Sequence, residues 1–405
     1  MEAKFQANIT SVFLIGVIGL IFILNALKPW IDYWTPLHYQ FVTLFQFSLL
    51  VFFITFFNVN FYKKIGLLAF LLLFYVLLRF FTQTIIDLFS ENFLGIISSF
   101  YYVFRTFLLV YLFQIYLTFE RNDNVFQSSK NLLISYFLLT FIYSLMQHPL
   151  FFDNALIREQ GGNLMSGNYW GFFRTNGGIG GTVIDYANFL LGVSWVLFFT
   201  TFESRKVKFF LLFVLVASSI LCFSRALFLA WFLILCIHVI SFKNIPRIIL
   251  SFTILLVPPA VLLMLNFDSL VNFYYSGFGD SDIYRLQSWI MLFDNFSILE
   301  YMTGRELGGN TGLFLGETYK ISGDGYITGT IYDAGLFMLF LLIGFIVKTV
   351  FSIQCSIKIK LSIIGSLLIM MIVNSGFEKL FIVMTYVISI AIIYGNYRLL
   401  QQKNL

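Results

Sequence analysis

Arginines beside glycine-rich stretches are the residues of this sequence whose types and spacing could do chemistry. Arg174 lies in GNYWGFFRTNGGIGG, residues 167–181, among aromatic residues and three positions before a run of glycines that begins at Gly177. The guanidinium group is a planar fork of donors that fits phosphate oxygens, and glycine lets a backbone approach a ligand closely. Arg174 is therefore a candidate phosphate-binding residue. The alternative is a flexible loop whose arginine meets lipid headgroups.

A second arginine stands in FSRA, residues 223–226, between two apolar runs. Such a tight turn predicts that Arg225 lies at a membrane boundary, where it could hold a phosphate group. An arginine that only snorkels to the lipid headgroups explains the same position, so both interpretations stay open.

A third arginine belongs to DSDIYRLQSWIMLFDNF, residues 280–296, whose apolar spacing predicts a helix. Arg285 and Trp289 share one face of it, as in helices that lie in the membrane interface. Asp280 and Asp282 form a D-x-D, a spacing that some sugar-nucleotide transferases use for a divalent metal. A helix cap explains this pair better, so no metal is expected.

Carboxylates follow in the same part of the chain. The stretch TGRELGGNTG contains Arg305, and GDGYITGTIYDAG contains Asp324 at the start of a predicted helix. Acids near a helix N-terminus are favoured by the helix dipole alone, which is the structural alternative to a catalytic role. The carboxylates that compete with Asp324 for the role of general base are Glu300, Glu306, Glu317 and Asp333.

Composition determines the class of protein. The chain has 405 residues, of which 59% are hydrophobic and 11% charged, whereas a soluble domain carries roughly 25% charged residues. The apolar runs reach the length that a spanning helix needs. The three cysteines form no C-x-x-C pair, so neither a zinc site nor a disulfide framework is expected. No cofactor and no nucleic-acid partner are expected.

We predict an all-α integral membrane protein, a single polytopic domain over residues 1–405 with about 12 transmembrane helices. The first run is interpreted as a retained helix because it lacks a cleavage site of the A-x-A type. The predicted spans are 9–27, 41–58, 65–81, 93–118, 131–147, 182–201, 207–223, 225–241, 247–267, 331–350, 361–376 and 380–397.

The charges predict the orientation of these spans. Most of the 25 lysines and arginines fall in loops on the side of the N-terminus, and most of the 20 acids fall on the opposite side. The positive-inside rule then makes both termini cytoplasmic. Two long loops, 147–181 and the larger 268–330 between spans nine and ten, lie outside and are predicted to be ordered caps over an outward-facing site.

Two arginines are predicted inside spans. Arg105 lies about a third to halfway along span four, and Arg79 lies near the outer end of span three. A charge at membrane depth is costly and usually faces a cavity or a partner. Arg105 is thus a functional candidate, with a buried structural ion pair as the alternative.

Together these residues indicate one kind of chemistry. The orientation puts Arg174, Arg225, Arg285 and Asp324 on one side of the membrane beside glycine-rich turns. Cleavage of a glycosyl–diphosphate bond builds negative charge on the departing phosphate, and fixed cationic donors stabilise that charge.

The chain resembles the Wzy-type O-antigen polymerases and the related O-antigen ligases, a GT-C-like group of integral membrane glycosyltransferases. The resemblance covers the whole architecture of spans and loops. The motifs that carry it, in their order, are FFRTNG, SRA, RLQSW, TGRELGG and GDGYITGTIYDAGLF. Ligases of this group commonly have a histidine near the end of the large loop, where this chain has Asp324, so polymerase is favoured over ligase.

The resemblance implies metal-independent polymerisation of undecaprenyl-diphosphate-linked repeat units at the periplasmic face of a bacterial inner membrane. Arg174 and Arg285 would bind diphosphate oxygens, Arg225 would hold the lipid phosphate or order the loop, and Asp324 would orient or deprotonate the attacking hydroxyl. Arg305 and Arg105 are further candidate contacts to the lipid diphosphate. A flippase and a chain-length regulator of the same pathway are candidate partners. The rival hypotheses are a ligase or other lipid-linked glycan transferase, a transporter or flippase, and a non-catalytic scaffold.

Overall fold

The structure is a computed structural model that describes residues 16, 19–23, 66–118, 123–148, 168–169, 172–179, 183–239, 290, 293, 296–307, 325–373 and 380–403. Within these residues the helices are α1 Leu67–Phe89, α2 Phe93–Thr118, α3 Asp123–Gln147, α4 Val183–Phe199, α5 Arg205–Cys222, α6 Arg225–Val239, α7 Ile298–Thr303, α8 Tyr326–Ser352, α9 Ile357–Val373 and α10 Leu380–Lys403. The described residues also include one short antiparallel hairpin, formed by β1 Asn168–Tyr169 and β2 Phe172–Phe173, in which Asn168 pairs with Phe173.

The predicted all-α membrane class is confirmed. Five of the described helices, α1, α2, α3, α8 and α10, are long and apolar enough to cross a membrane, and α4 and α6 are shorter apolar helices. Large apolar side chains such as Phe74, Phe209 and Phe213 are exposed along the helices, as a lipid-facing surface requires. The predicted spans 41–58 and 247–267, and most of 9–27, lie outside the described residues.

Four of the described helices begin or end five or more residues from the predicted bounds. Helix α3 begins at Asp123 rather than at 131, and α10 ends at Lys403 rather than at 397. The third span was expected to end at residue 81, but α1 continues to Phe89. Its last two turns are polar enough to look like a loop, yet Gln83 Nε2 donates to Asp87 Oδ1 at 3.1 Å one turn on. Similarly, α8 begins at Tyr326 rather than near residue 331, because its glycine- and threonine-rich first turn packs against other helices.

Helix α4 lies at the centre, and nearly every one of its side chains is buried. It runs against α10, where a Cβ on Gly192 would lie 2.7 Å from the Thr385 side chain. Such small residues let helices in a membrane approach closely. Polar side chains join α4 to two neighbours: Tyr386 Oη of α10 donates to Asn188 Oδ1 at 2.6 Å, and Trp195 Nε1 donates to Ser366 Oγ of α9 at 3.0 Å.

The bundle has two chemically different ends. At one, which we call the lysine end, ammonium groups donate to backbone carbonyls of neighbouring segments, as Lys130 does to Thr201, Lys208 to Thr200 and Lys358 to His238. The other, which we call the arginine end, carries the C-termini of α1, α3 and α5, the N-termini of α4, α6 and α8, and helix α7. Arg174, Arg225 and Arg305 lie there.

Candidate functional site

At the arginine end, the FFRTNG stretch meets the FSRA turn. Arg174 follows β2 directly, and its Nε donates to the carbonyl oxygen of Cys222 at 3.2 Å. The next amide, of Thr175, donates to the carbonyl oxygen of Leu221 at 2.9 Å. The chain then turns through Phe223, which has φ 45°, so that Arg225 is the first residue of α6. Two motifs that were predicted separately are therefore in contact.

The segment after Arg174 is held by the end of α3. Gln147 Oε1 accepts hydrogen bonds from the amides of Asn176 and Gly177, each at 3.2 Å, and its Nε2 donates to Asn176 Oδ1 at 2.7 Å. Asn176 Oδ1 also accepts from the amide of Gly178 at 3.0 Å. Buried backbone amides need such partners, and here two side chains supply them.

The two glycines of this turn are required by its geometry. Gly177 and Gly178 have φ +61° and +70°, a left-handed conformation that favours glycine. A Cβ at Gly177 would lie 2.7 Å from the Tyr186 ring, and one at Gly178 would lie 2.9 Å from the Tyr143 ring. Because the turn is also buried, the alternative of a flexible glycine-rich loop does not describe residues 174–179.

A second part of the arginine end is built on α7. Ser297 and Glu300 form a reciprocal capping box at its start, an arrangement that satisfies free amides at a helix N-terminus. Glu300 Oε1 also accepts from Arg305 Nε at 2.9 Å, and the Arg305 guanidinium lies 4.5 Å from the Phe296 ring centroid. The predicted ligand contact Arg305 is thus ion-paired at the protein surface.

These contacts separate Glu300 from the other candidate bases. The backbone amide of Ser297, followed by Arg305, donates hydrogen bonds that lower the pKa of Glu300 from 4.5 to about 2. A carboxylate whose charged form is so favoured is a weak proton acceptor. These contacts make Glu300 poorly suited to the role of general base.

Helix α7 docks into a break in α8. Gly335 lies inside α8 with φ +80°, and Gly304 ends α7 with φ +82°. A Cβ at Gly335 would lie 2.2 Å from the carbonyl oxygen of Met302, and one at Gly304 would lie 2.5 Å from the amide nitrogen of Ala334. The backbones of the two segments therefore touch where α8 departs from helical geometry.

Side chains of helix α1 donate hydrogen bonds to two backbone carbonyl oxygens at this contact between α7 and α8. Tyr75 Oη donates to the carbonyl oxygen of Ala334 at 2.8 Å, and Arg79 Nη2 donates to that of Gly304 at 3.2 Å. Arg79 was noted in the sequence without a role, and Tyr75 was missed. No sequence signal identifies either partner, because 225 or more residues separate them.

Arg105 lies in a buried polar cluster between α2 and α8. Its side chain is 8% exposed, and its guanidinium carbon lies 4.9 Å from the Tyr102 ring centroid and 5.8 Å from that of Tyr326. Tyr102 also interacts electrostatically with Asp333, which is 2% exposed, and with Arg105. Arg105 and the candidate base Asp333 therefore contribute to one buried cluster.

Glu306 is a described carboxylate whose surroundings favour its protonated form. It is half-buried, and its pKa is raised first by burial and then by the nearby Asp87 carboxylate. Asp87 Oδ1 accepts from Asn92 Nδ2 at 3.3 Å, and Ser99 Oγ donates to the carbonyl oxygen of Leu307 at 2.8 Å. Asp87 was missed in the sequence, although an acid at the end of an apolar run is the signal that could have identified it.

Several predicted residues cannot be placed. Arg285, Asp324 and Glu317 lie outside the described residues, as does the D-x-D pair of Asp280 and Asp282. In the helix predicted over 280–296, three residues are described: Ile290 is helical, whereas Phe293 lies in a turn and Phe296 is not helical.

The described part of the arginine end thus combines a rigid arginine turn with a half-buried carboxylate and a buried Arg–Tyr–Asp cluster. Its groups can bind an anion and accept a proton.

No family model matches the chain, and no curated protein or solved structure gives a significant match.

Proposed function

We propose that this chain is a membrane glycosyltransferase that polymerises undecaprenyl-diphosphate-linked repeat units at the periplasmic face of a bacterial inner membrane. The observation that carries the proposal is the contact between Arg174 and the turn before Arg225. A buried turn with glycines at positive φ fixes the backbone of Arg174, and preorganised donors are what a developing diphosphate charge requires.

The proposed reaction is a transfer of glycan between two lipid-linked molecules. The acceptor hydroxyl oxygen forms a bond to the anomeric carbon of the donor glycan, and the bond from that carbon to the diphosphate breaks. The hydroxyl proton goes to a carboxylate, and undecaprenyl diphosphate leaves. Arg174 and Arg285 bind the diphosphate oxygens, and Arg225 holds the lipid phosphate.

The base is proposed to be Asp324, which the motif before α8 supplies, with Glu306 as the described alternative. Burial and Asp87 raise the pKa of Glu306, which brings a carboxylate closer to the pKa that general-base catalysis near neutral pH prefers. The reaction is proposed to need no metal, because guanidinium groups supply the positive charge.

The proposal includes an orientation. The arginine end would face the periplasm, and the lysine end would face the cytoplasm with both termini. The support is the positive-inside rule and the concentration of lysine–carbonyl contacts at one end of the bundle.

Transport of lipid-linked sugars is the second candidate, because α8 is broken at Gly335 near the buried Asp333. Broken helices and buried charges are typical of transporter sites. However, the backbone of residues 302–304 fills this break, so it anchors α7 rather than opening a path. The polymerase is therefore preferred over the transporter.

Deletion of the gene followed by gel analysis of the surface glycan tests the proposal. Loss of a polymerase should leave the acceptor carrying a single repeat unit. Loss of a ligase should instead leave no attached repeats while lipid-linked polymer accumulates. Loss of a flippase should trap single lipid-linked repeats on the cytoplasmic side, and either of these last two outcomes would refute polymerisation.

A further inference from the structure

A cleft of about 670 Å³ opens at the lysine end, between α3, the start of α5 and the end of α10. Its wall is amphipathic. Polar side chains, among them Lys130 and Asn396, line one part of it, and Leu211 and Leu399 line another. The cleft lies at the opposite end of the bundle from the arginine turn, so it is distinct from the candidate functional site.

Lysines converge on the segment beside this cleft. Lys130 Nζ donates to the carbonyl oxygen of Thr201 at 2.7 Å and lies 3.8 Å from the Phe202 ring centroid. Lys208 Nζ donates to the carbonyl oxygen of Thr200 at 3.0 Å. An ammonium group has three hydrogens to donate, so a carbonyl contact leaves Lys130 able to bind a further oxygen. Lys130 and Glu203 are the charged side chains that line the cleft, and Lys208, which interacts electrostatically with Lys130, adds positive charge beside it.

Asn396 supplies a second, independent observation. Its Oδ1 accepts hydrogen bonds from the amide and the hydroxyl of Thr201 at 3.1 and 2.7 Å. Its Nδ2 is buried and has no acceptor among the described residues. A buried donor without an acceptor is destabilising, and a movement of the Asn396 side chain that brings Nδ2 to an oxygen ligand in the cleft would remove that penalty.

We propose that this cleft binds the phosphate headgroup of an anionic phospholipid. Lys130 and Asn396 Nδ2 would contact the phosphate oxygens, and Leu211 and Leu399 would contact the glycerol and the upper part of an acyl chain. Basic pockets between transmembrane helices bind such headgroups. Free phosphate has the same oxygen chemistry, but it makes no use of the apolar wall, and the exposed Phe210 shows that α5 faces lipid nearby.

The test compares the lipid and the free ion as ligands. The full-length protein is placed in phosphatidylcholine nanodiscs, and its thermal unfolding midpoint is measured as phosphatidylglycerol replaces part of the lipid. A parallel series adds inorganic phosphate at constant ionic strength. The midpoint should rise with phosphatidylglycerol and stay constant with phosphate. No rise with the lipid, or an equal rise with phosphate, would overturn the proposal.

Variants then assign the effect to the cleft. Lys130→Gln should shift half-maximal stabilisation to about fivefold more phosphatidylglycerol, because it removes one charge-assisted hydrogen bond to the phosphate in addition to the general attraction of a lysine to an anionic surface. Lys360→Gln is the matched control, since Lys360 Nζ also donates to a backbone carbonyl, that of Phe351 at 2.8 Å, and lies 5.6 Å from the Phe351 ring centroid. Equal lipid dependence of the two variants would refute the site.

A second substitution covers the case in which Lys130→Gln does not fold. Ser135→Leu narrows the cleft from an exposed position of α3 and leaves the contact of Lys130 with Thr201 in place. It should lose the same response to phosphatidylglycerol, and a wild-type response would overturn the proposal.

Discussion

The side chains of Gln147 and Asn176 are joined by a 2.7 Å hydrogen bond across 29 residues of sequence. The same glutamine accepts hydrogen bonds from the amides of Asn176 and Gly177, so one side chain at the end of α3 fixes the turn after Arg174. The conformation of the candidate phosphate-binding loop therefore depends on a residue that has no part in the proposed chemistry.

Gln147→Ala should destabilise the protein by about 2–4 kcal/mol, because it leaves buried backbone amides without acceptors. The measurement is thermal unfolding in detergent micelles. Gln127→Ala is the control, since Gln127 is exposed and bonds to Asn131 one turn away, a contact worth less than about 0.5 kcal/mol. Equal midpoints for the two variants would contradict the role of Gln147.

Gly177→Ala should destabilise the turn by more than about 1–2 kcal/mol. The left-handed conformation alone costs a side-chain-bearing residue that much, and the new methyl group would also meet the Tyr186 ring. Gly344→Ala is the control, because Gly344 is inside α8 and its Cβ would lie 3.8 Å from Leu68, an ordinary contact. Membrane abundance and unfolding midpoints should fall for Gly177→Ala and hold for Gly344→Ala.

The docking of α7 should weaken in acid through Glu300. Its folded-state pKa is about 2 and its ordinary value is 4.5, so the folded state binds fewer protons than the unfolded state between these values. The stabilisation is therefore complete above pH 4.5 and is lost as the pH falls towards 2. Hydrogen-exchange protection of residues 298–304, corrected for the intrinsic rate, should decrease over this range. Glu300→Gln should remove that pH dependence, and an unchanged profile would show that Glu300 does not hold the segment.

How far the sequence predicts the structure differs from helix to helix. The span predicted at 93–118 coincides with α2, because a continuous apolar run leaves no other state for its backbone in a membrane. The end of α1 and the start of α8 were missed, since polar and glycine-rich turns become helical there through contacts between distant segments. The anion-binding residue types of the arginine turn could be predicted. Its rigidity could not, because it comes from Gln147, Tyr143 and Tyr186.

Asp324→Asn should abolish polymer while leaving protein abundance near normal, because Asp324 is the proposed base. The measurement is the surface-glycan ladder at matched membrane abundance. Glu203→Gln is the carboxylate control and should keep the ladder, since Glu203 is exposed and lies at the lysine end, away from the candidate site. A full ladder for Asp324→Asn would move the role of base to Glu306, Glu317 or Asp333.

Arg174→Lys and Arg285→Lys should both be strongly impaired, although each keeps its positive charge. A diphosphate whose charge grows during bond cleavage needs a bidentate grip, and lysine loses the planar fork that provides it. Removing one preorganised donor of this kind costs on the order of 100- to 1,000-fold in rate. The Arg174 variant also loses the Nε contact to Cys222, so its unfolding midpoint must be measured to separate anchoring of the turn from chemistry.

The control for both variants is Arg205→Lys, which changes an exposed arginine at the lysine end and should leave the glycan ladder intact. If the two arginines only anchor loops to lipid headgroups, lysine serves nearly as well, and the ladders at matched abundance would be those of the unmodified protein. That result would remove the diphosphate contact from the mechanism. Shortened or absent ladders with a near-normal unfolding midpoint would instead assign the loss to the reaction, because the turn would still be folded against α5.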